Sequence, residues 1–284
     1  METTTPTVSR PDRVRAVPVV TRRPGLAETL HSELTKIRTV RSTYWTLLAQ
    51  VAASVAWAIA ACAGTVAHWS PPDIAGFNAT RSSLMGQVAL GELIIVVLGA
   101  LVITSEYSTR MIRTSLVVMP RRSVLYAAKA LVFAAVSFTV SLAASFAAFF
   151  TGQAILAGKH IGTTLAQPGV LRAVLLSAAI VTVFGLLAFG TGALIRHTAG
   201  AITAILGLLF LLPQLDQALP TSWYDDIVRW LPGAQALTPI PSSGSSGSYV
   251  SGHLFSAWGE FAVFCGYAAV LLAAGAWSFL RRDA

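Results

Sequence analysis

Apolar residues run almost unbroken through six stretches of this chain, 44–67, 87–104, 127–156, 168–195, 199–215 and 257–280, and the polar residues gather between them. A helix that crosses a bilayer needs about 20 consecutive apolar residues. The pattern therefore predicts an all-α integral membrane protein with six transmembrane helices and both chain ends on one side. Ahead of the first stretch, Leu26, Leu30, Leu34 and Ile37 recur at helical spacing while Glu28, His31, Glu33, Lys36 and Arg38 take other directions. That periodicity predicts an amphipathic helix lying at the membrane interface with its apolar face down. Residues 1–24 carry Pro6, Pro11, Pro18 and Pro24 among Thr, Val and Arg, a composition that cannot sustain a helix and reads as a disordered cytoplasmic tail. Residues 25–284 then form the six-span domain.

Composition agrees with the pattern. Of 284 residues 55% are hydrophobic and 11% charged, and the mean hydropathy is +0.67, where soluble domains are about one quarter charged. The net charge of +8 would suit nucleic acid, but its distribution along the chain decides otherwise. Sixteen of the twenty Lys and Arg fall in the N-terminal segment, in the 103–129 connection, at Arg196 and at Arg281 with Arg282; only Arg81, Lys159, Arg172 and Arg229 fall on the opposite side. Cytoplasmic loops collect Lys and Arg, so both termini are expected in the cytoplasm of a multi-pass protein of a bacterial plasma membrane, with lipid and not nucleic acid as the partner of the excess charge. Tryptophan supports the same map: Trp45 and Trp277 fall at inner ends, Trp69, Trp223, Trp230 and Trp258 at or beyond outer ends, and only Trp57 lies mid-span. Cys62 and Cys265 lie within spans and have no metal or disulfide spacing. The Arg22-Arg23 pair and the Ile59-Ala60-Ala61-Cys62 box resemble export signals, but charged residues separate the first from an apolar run that is itself too long.

The connections differ in character. Residues 103–129 mix Arg110, Arg113, Arg121, Arg122 and Lys129 with Met111, Ile112, Leu116, Val117 and Val118, a composition suited to docking a soluble protein. On the far side, Trp223, Ile227, Trp230 and Leu231 make the apolar face of a short outer helix, re-entrant or interfacial, followed by the flexible run 242–248. Gly185, Gly190, Gly192, Gly200, Ala204 and Gly207 give smooth helix surfaces that allow close approach, within the chain or between subunits.

No catalytic or metal-binding pattern stands out. Residues 152–160 miss the phosphate-binding pattern by one residue of spacing and by a His where Ser or Thr follows Lys, and neither a His-Glu-x-x-His helix nor a Gly-x-Ser-x-Gly elbow occurs. No cofactor is expected on this chain. Three carboxylates, Glu92, Asp216 and Glu260, sit near or within the outer halves of spans, where acids tend to mark pathways. They are the candidate substrate-path residues, or else water-exposed acids of the outer interface.

Residues 28–284 resemble the permease subunits of bacterial, particularly actinobacterial, ABC-2 type ABC transporters. The resemblance rests on residues 32–38 (SELTKIR) with Arg41-Ser42-Thr43, on 103–109 (ITSEYST) with Met111-Ile112-Arg113-Thr114, on Pro120-Arg121-Arg122 with Ala127-Ala128-Lys129, and on 196–200 (RHTAG); Arg110 departs from it, standing where many relatives carry glycine. It implies a cytoplasmic coupling helix between spans two and three and outer helices between spans five and six. It also implies two permease subunits, alike or different, working with two separate ATPase subunits that carry the ATP and Mg. Glu106, Arg110, Met111, Ile112 and Arg113 are then the expected coupling contacts, in the 106–120 loop. Two other readings of the same residues are an ion-gradient-driven secondary transporter with Glu92 as its cation site, and a non-transporting immunity or scaffold protein.

Overall fold

The computed structural model describes residues 25–69, 77–109, 122–214 and 257–282. All regular structure among them is helical. Helix α1 covers Leu26–Thr39 and α2 covers Arg41–Ala67, α3 covers Ala79–Gly86 and α4 covers Glu92–Ser108, α5 covers Arg122–Leu156, α6 covers Val170–Ile195, α7 covers Thr198–Gln214 and α8 covers Ala257–Arg282. A π-helical turn, Gln87–Gly91, joins α3 to α4 into one 30-residue rod. Five of these helices are long and apolar enough to cross a membrane: α2, the α3–α4 rod, α5, α6 and α8. The protein is membrane-embedded. Helix α7 is apolar too, but its 17 residues span about 26 Å.

Of the sequence-derived starts, the second and third shift outward and the fourth inward. The second stretch was expected to start at 87, yet its helix begins eight residues earlier, where the Asn78 side chain accepts the Arg81 backbone N–H at 3.0 Å and caps the first turn. The third helix starts at Arg122 and not at 127, because the charged first turn remains helical. The fourth starts at Val170, since Pro168 and Gly169, the latter at φ 86°, form the turn before it. Helices α1 and α2 are separated by one extended residue, Val40 (φ −78°, ψ 107°). The tail expected over residues 1–24, the coupling helix expected in the connection 110–121 and the outer helices expected between 217 and 256 lie outside the described residues.

Arg41 of α2, Ser108 of α4, Arg122 of α5, Ile195 of α6 and Arg282 of α8 mark one end of the bundle, the basic end. Helix α6 is central. It crosses α4 where Gly99 meets the Gly185 backbone, Gly192 accommodates Ile103, and Gly190 lies against the α8 backbone at Leu271 and Gly275. Three of the sequence's small residues thus serve packing inside the chain. Phe184 and Phe264 (ring centroids 4.5 Å) close α6 on α8, and Phe133 stacks on Phe189 at 6.1 Å between α5 and α6. Helix α2 lies outside this block, with Tyr44, Trp45, Leu48, Trp57 and Ile59 exposed.

Helix α1 starts at Gly25, whose N–H donates to the Glu28 carboxylate at 3.0 Å. It packs on α5 and α2 by its polar stripe, not by the apolar one that the sequence assigns to the membrane interface. Thr29 and Glu33 are its buried residues at 3% exposure each, while Leu30, Leu34 and Ile37 are half-buried and Leu26 is 50% exposed. The polar stripe faces the protein, and the leucines flank it.

Candidate functional site

The polar stripe of α1 turns inward because it meets charge there. Glu33 and Lys36 lie one turn apart on α1, Glu106 lies in the last turn of α4, and Lys129 lies two turns into α5. Lys129 Nζ donates to Glu33 Oε2 at 2.6 Å and to Glu106 Oε1 at 2.7 Å; Lys36 Nζ donates to Glu33 Oε1 at 2.8 Å and reaches Glu106 Oε1 at 3.4 Å. The side chains of Glu33, Lys129 and Glu106 are less than one tenth exposed, and that of Lys36 about a third. Two carboxylates and two ammoniums make a neutral, alternating square. Burial pushes the Glu33 carboxyl up, but attraction and hydrogen bonding from Lys129, then Lys36, prevail and hold it below its ordinary value. For Lys36, burial acts downward, and the Glu33 hydrogen bond with the charges of Glu33 and Glu106 prevails to raise it.

Neighbouring contacts tie the other helices at the same end. Arg196 (φ 60°) ends α6, lays its guanidinium over the Tyr107 ring at 5.1 Å and donates from Nη2 to the Ser278 carbonyl of α8 at 2.9 Å. Thr198 of α7 donates to Thr104 of α4 at 2.8 Å. Tyr126 Oη donates to the Leu272 carbonyl at 3.1 Å, linking α5 to α8.

A second polar assembly lies deeper, between α2, the π turn and α5. Gln50 Nε2 donates to Ser141 Oγ at 2.8 Å, Ser54 Oγ to Gln87 Oε1 at 2.5 Å and Gln87 Nε2 to the Ser141 carbonyl at 3.2 Å, all fully buried. Further along, Gln153 donates to Ser83 Oγ at 3.0 Å, and Cys62 Sγ stands 3.7 Å from the same hydroxyl.

The sequence-predicted residues are therefore dispersed. Glu106 is buried, with Oε1 engaged by two lysines of its own chain, so it anchors the end of α4. Arg110, Met111, Ile112 and Arg113 lie outside the described residues, as does Asp216. Glu260 falls in the first turn of α8, with its side chain outside the description. Glu92 follows the π turn, is 8% exposed, and makes no hydrogen bond or ion pair with the described residues. It lies one turn from Val96, a residue of the stripe of α4 that packs against α6, α7 and α8. The structure does not bring Glu92 and Glu106 together: fourteen residues of helix, about 21 Å, separate them.

Sequence reasoning missed Lys129 and Glu33 as a pair. The sequence reading places Lys129 among the cations of the 103–129 connection and Glu33 off the apolar stripe of α1. A signal existed, since a lysine followed by 27 uncharged helical residues needs a carboxylate or an interface. Among the described residues there is no group of three or more His, Cys, Asp or Glu side chains able to hold a metal. No family model and no curated protein matches this chain. What the basic-end cluster does is mechanical: it fixes three helix segments to one another.

Proposed function

We propose that the chain is the transmembrane permease subunit of an ATP-driven exporter of the ABC-2 type, set in a bacterial plasma membrane with the basic end and both termini in the cytoplasm. Six crossings, with α7 as the fifth, deliver that topology and the Lys and Arg bias supports it. Two such subunits, alike or different, enclose the substrate path. Separate ATPase subunits carry ATP and Mg and engage the 106–120 loop, with Arg110, Met111, Ile112 and Arg113 as contacts.

The observation that carries this reading is the buried ion cluster at the base of that loop. Glu106 stands three residues before the last described residue on one side of the loop and Lys129 seven residues after the first on the other. A loop that only joined two spans would need no such clamp, since breaking a buried pair costs about 3–5 kcal/mol and forming one requires the desolvation of both charges. A loop that takes up force needs a firm base. Conformational work then comes from nucleotide binding the two states of the assembly unequally.

The test is purification of the tagged chain from native membranes in mild detergent, followed by mass spectrometry and ATP-dependent transport. A stoichiometric ATPase supports the reading; its reproducible absence, with other complexes intact, sinks it. The burial of Glu92 without a partner among the described residues favours one second reading, a carrier driven by an ion gradient. Substrate movement that follows the gradient without an ATPase, and stops in Glu92→Gln, would select it.

A further inference from the structure

Helix α1 has two attachments of different kind. Covalently it joins α2 through Val40, a single extended residue between two helices. Non-covalently it is held to α4 and α5 by Glu33 and Lys36, while its leucine stripe is half-buried and Leu26 half-exposed. The apolar contact has little to fix its direction, whereas the ion pairs do. Lys129 is shared between Glu33 of α1 and Glu106 of α4, so moving α1 off the α4–α5 ends would strand Lys129, Glu33 and Glu106 in a site where all three side chains are less than one tenth exposed.

We infer that Lys129 and Glu33 are positioning residues that make α1 part of the moving body at the base of the 106–120 loop, with Val40 as the hinge between that body and α2. The inference rests on the proposed transporter reading and extends it. The element that follows the loop is α1, although it precedes the first span in sequence. When the ATPase displaces the loop, the ends of α4 and α5 carry α1 with them, and the angle between α1 and α2 changes at Val40. Lys129 acts through Glu33 and Glu106 and touches no substrate.

Pulsed electron–electron distance measurement on the reconstituted complex, in a chain with Cys62→Ser and Cys265→Ser, tests this. Labels go on Ser32 of α1 with Ser123 of α5, and on Ser32 with Ala63 of α2, all exposed positions. Between the nucleotide-free and nucleotide-trapped states, the Ser32–Ser123 distance stays fixed while the Ser32–Ala63 distance shifts. In Lys129→Met the Ser32–Ser123 distribution broadens, and substrate moved per ATP hydrolysed falls by about 2- to 30-fold. Lys129→Arg keeps both near the wild-type values, which a merely bulky replacement would not do. Where Lys129→Met does not accumulate, Glu33→Gln supplies the weakened latch.

A Ser32–Ser123 distance that changes with nucleotide in the otherwise wild-type complex overturns the inference, and so does a Ser32–Ala63 distance that never changes while transport is coupled. In both cases ATP-driven transport persists and the transporter reading stands. An assembly without an ATPase, or without any nucleotide effect on transport, instead removes the reading beneath it.

Discussion

Replacing Gly99 by alanine probes a crossing at which α4 meets the backbone of α6. A Cβ built on Gly99 runs into the carbonyl oxygen of Gly185, stands 3.0 Å from its carbon and 3.2 Å from Phe133 Cζ. Carbon atoms pack best at about 3.5–4.0 Å. Helices α4 and α6 would have to part by about 0.5–1 Å at the carbonyl carbon, and by more at the oxygen. The obstacle is backbone, which has no rotamer to change, so the expected cost is near the top of the usual overpacking range, about 3 kcal/mol. At Gly185 the atoms in the way are the Ile95 Cγ2 methyl and the Phe133 ring edge; both side chains are buried and Cγ2 moves only with a stiff χ1, but they are side chain and not backbone, so Gly185→Ala should cost somewhat less, about 2–3 kcal/mol. Gly207, in α7, has nothing within 4 Å of a built Cβ among the described residues, and Gly207→Ala should be neutral or gain up to about 1 kcal/mol of helix propensity. Thermal unfolding in detergent, followed by a thiol-reactive dye that reports exposure of the buried Cys62, ranks the three. The expected order of melting is Gly99→Ala first, Gly185→Ala next and Gly207→Ala last. Equal melting of Gly99→Ala and Gly207→Ala would refute the crossing as described.

The remaining expectations concern the two polar assemblies. Lys129→Met leaves Glu33 and Glu106 buried without their main partner and should destabilise the fold by about 3–5 kcal/mol, with Lys129→Arg well short of that; unfolding in detergent measures both, and equal loss would argue against an ionic role. The cluster also sets a pH window. Glu33 has its folded value depressed below its ordinary 4.5, so its contribution is present above that value and is lost as pH falls through the folded value. Lys36 has its folded value raised above 10.5, so its contribution is complete below that and is lost as pH rises through the raised value. Hydrogen exchange of α1 should therefore be flat between about pH 5 and 10, after correction for intrinsic rates, and increase on either side; a step near neutrality would contradict the assignment. In the deeper assembly, Gln50→Leu removes the bond to Ser141 and should cost about 0.6–1.7 kcal/mol, the range for hydrogen bonds between membrane helices, as read by reversible unfolding.

Much of the architecture was legible because a bilayer requires long apolar helices and little else of comparable length. The stretches at 44–67 and 168–195 lie within three residues of the observed helices α2 and α6. The second stretch was less legible, since Ala79–Gly86 contains Arg81, Ser82 and Ser83 and reads as polar connection. It is helical because Asn78 caps it and because Ser83 and Gln87 face other polar side chains, not lipid. Hydropathy cannot register that, as it scores a residue without its neighbour. The protein-facing side of α1 was not legible for the same reason. Periodicity correctly marked Leu26, Leu30, Leu34 and Ile37 as one stripe, but which stripe packs inward depended on Lys129, 96 residues beyond Glu33. Helical spacing places neighbours three or four residues apart and is silent on pairs at that separation.

The use of charge at that site, where leucine would also have buried area, has a physical consequence for register. A leucine stripe on α1 repeats nearly every turn, so an apolar contact against α5 would survive a slide of one turn, about 5.4 Å, with little loss. The ionic contact would not. Sliding α1 by a turn removes Glu33 from Lys129 at 2.6 Å and moves Lys36 away from Glu106, leaving charges buried at several kcal/mol each. Ion pairs add little net stability over packed apolar side chains, but they penalise every wrong arrangement. That penalty fixes where α1 sits relative to the ends of α4 and α5, although only Val40 connects it covalently to the first long helix.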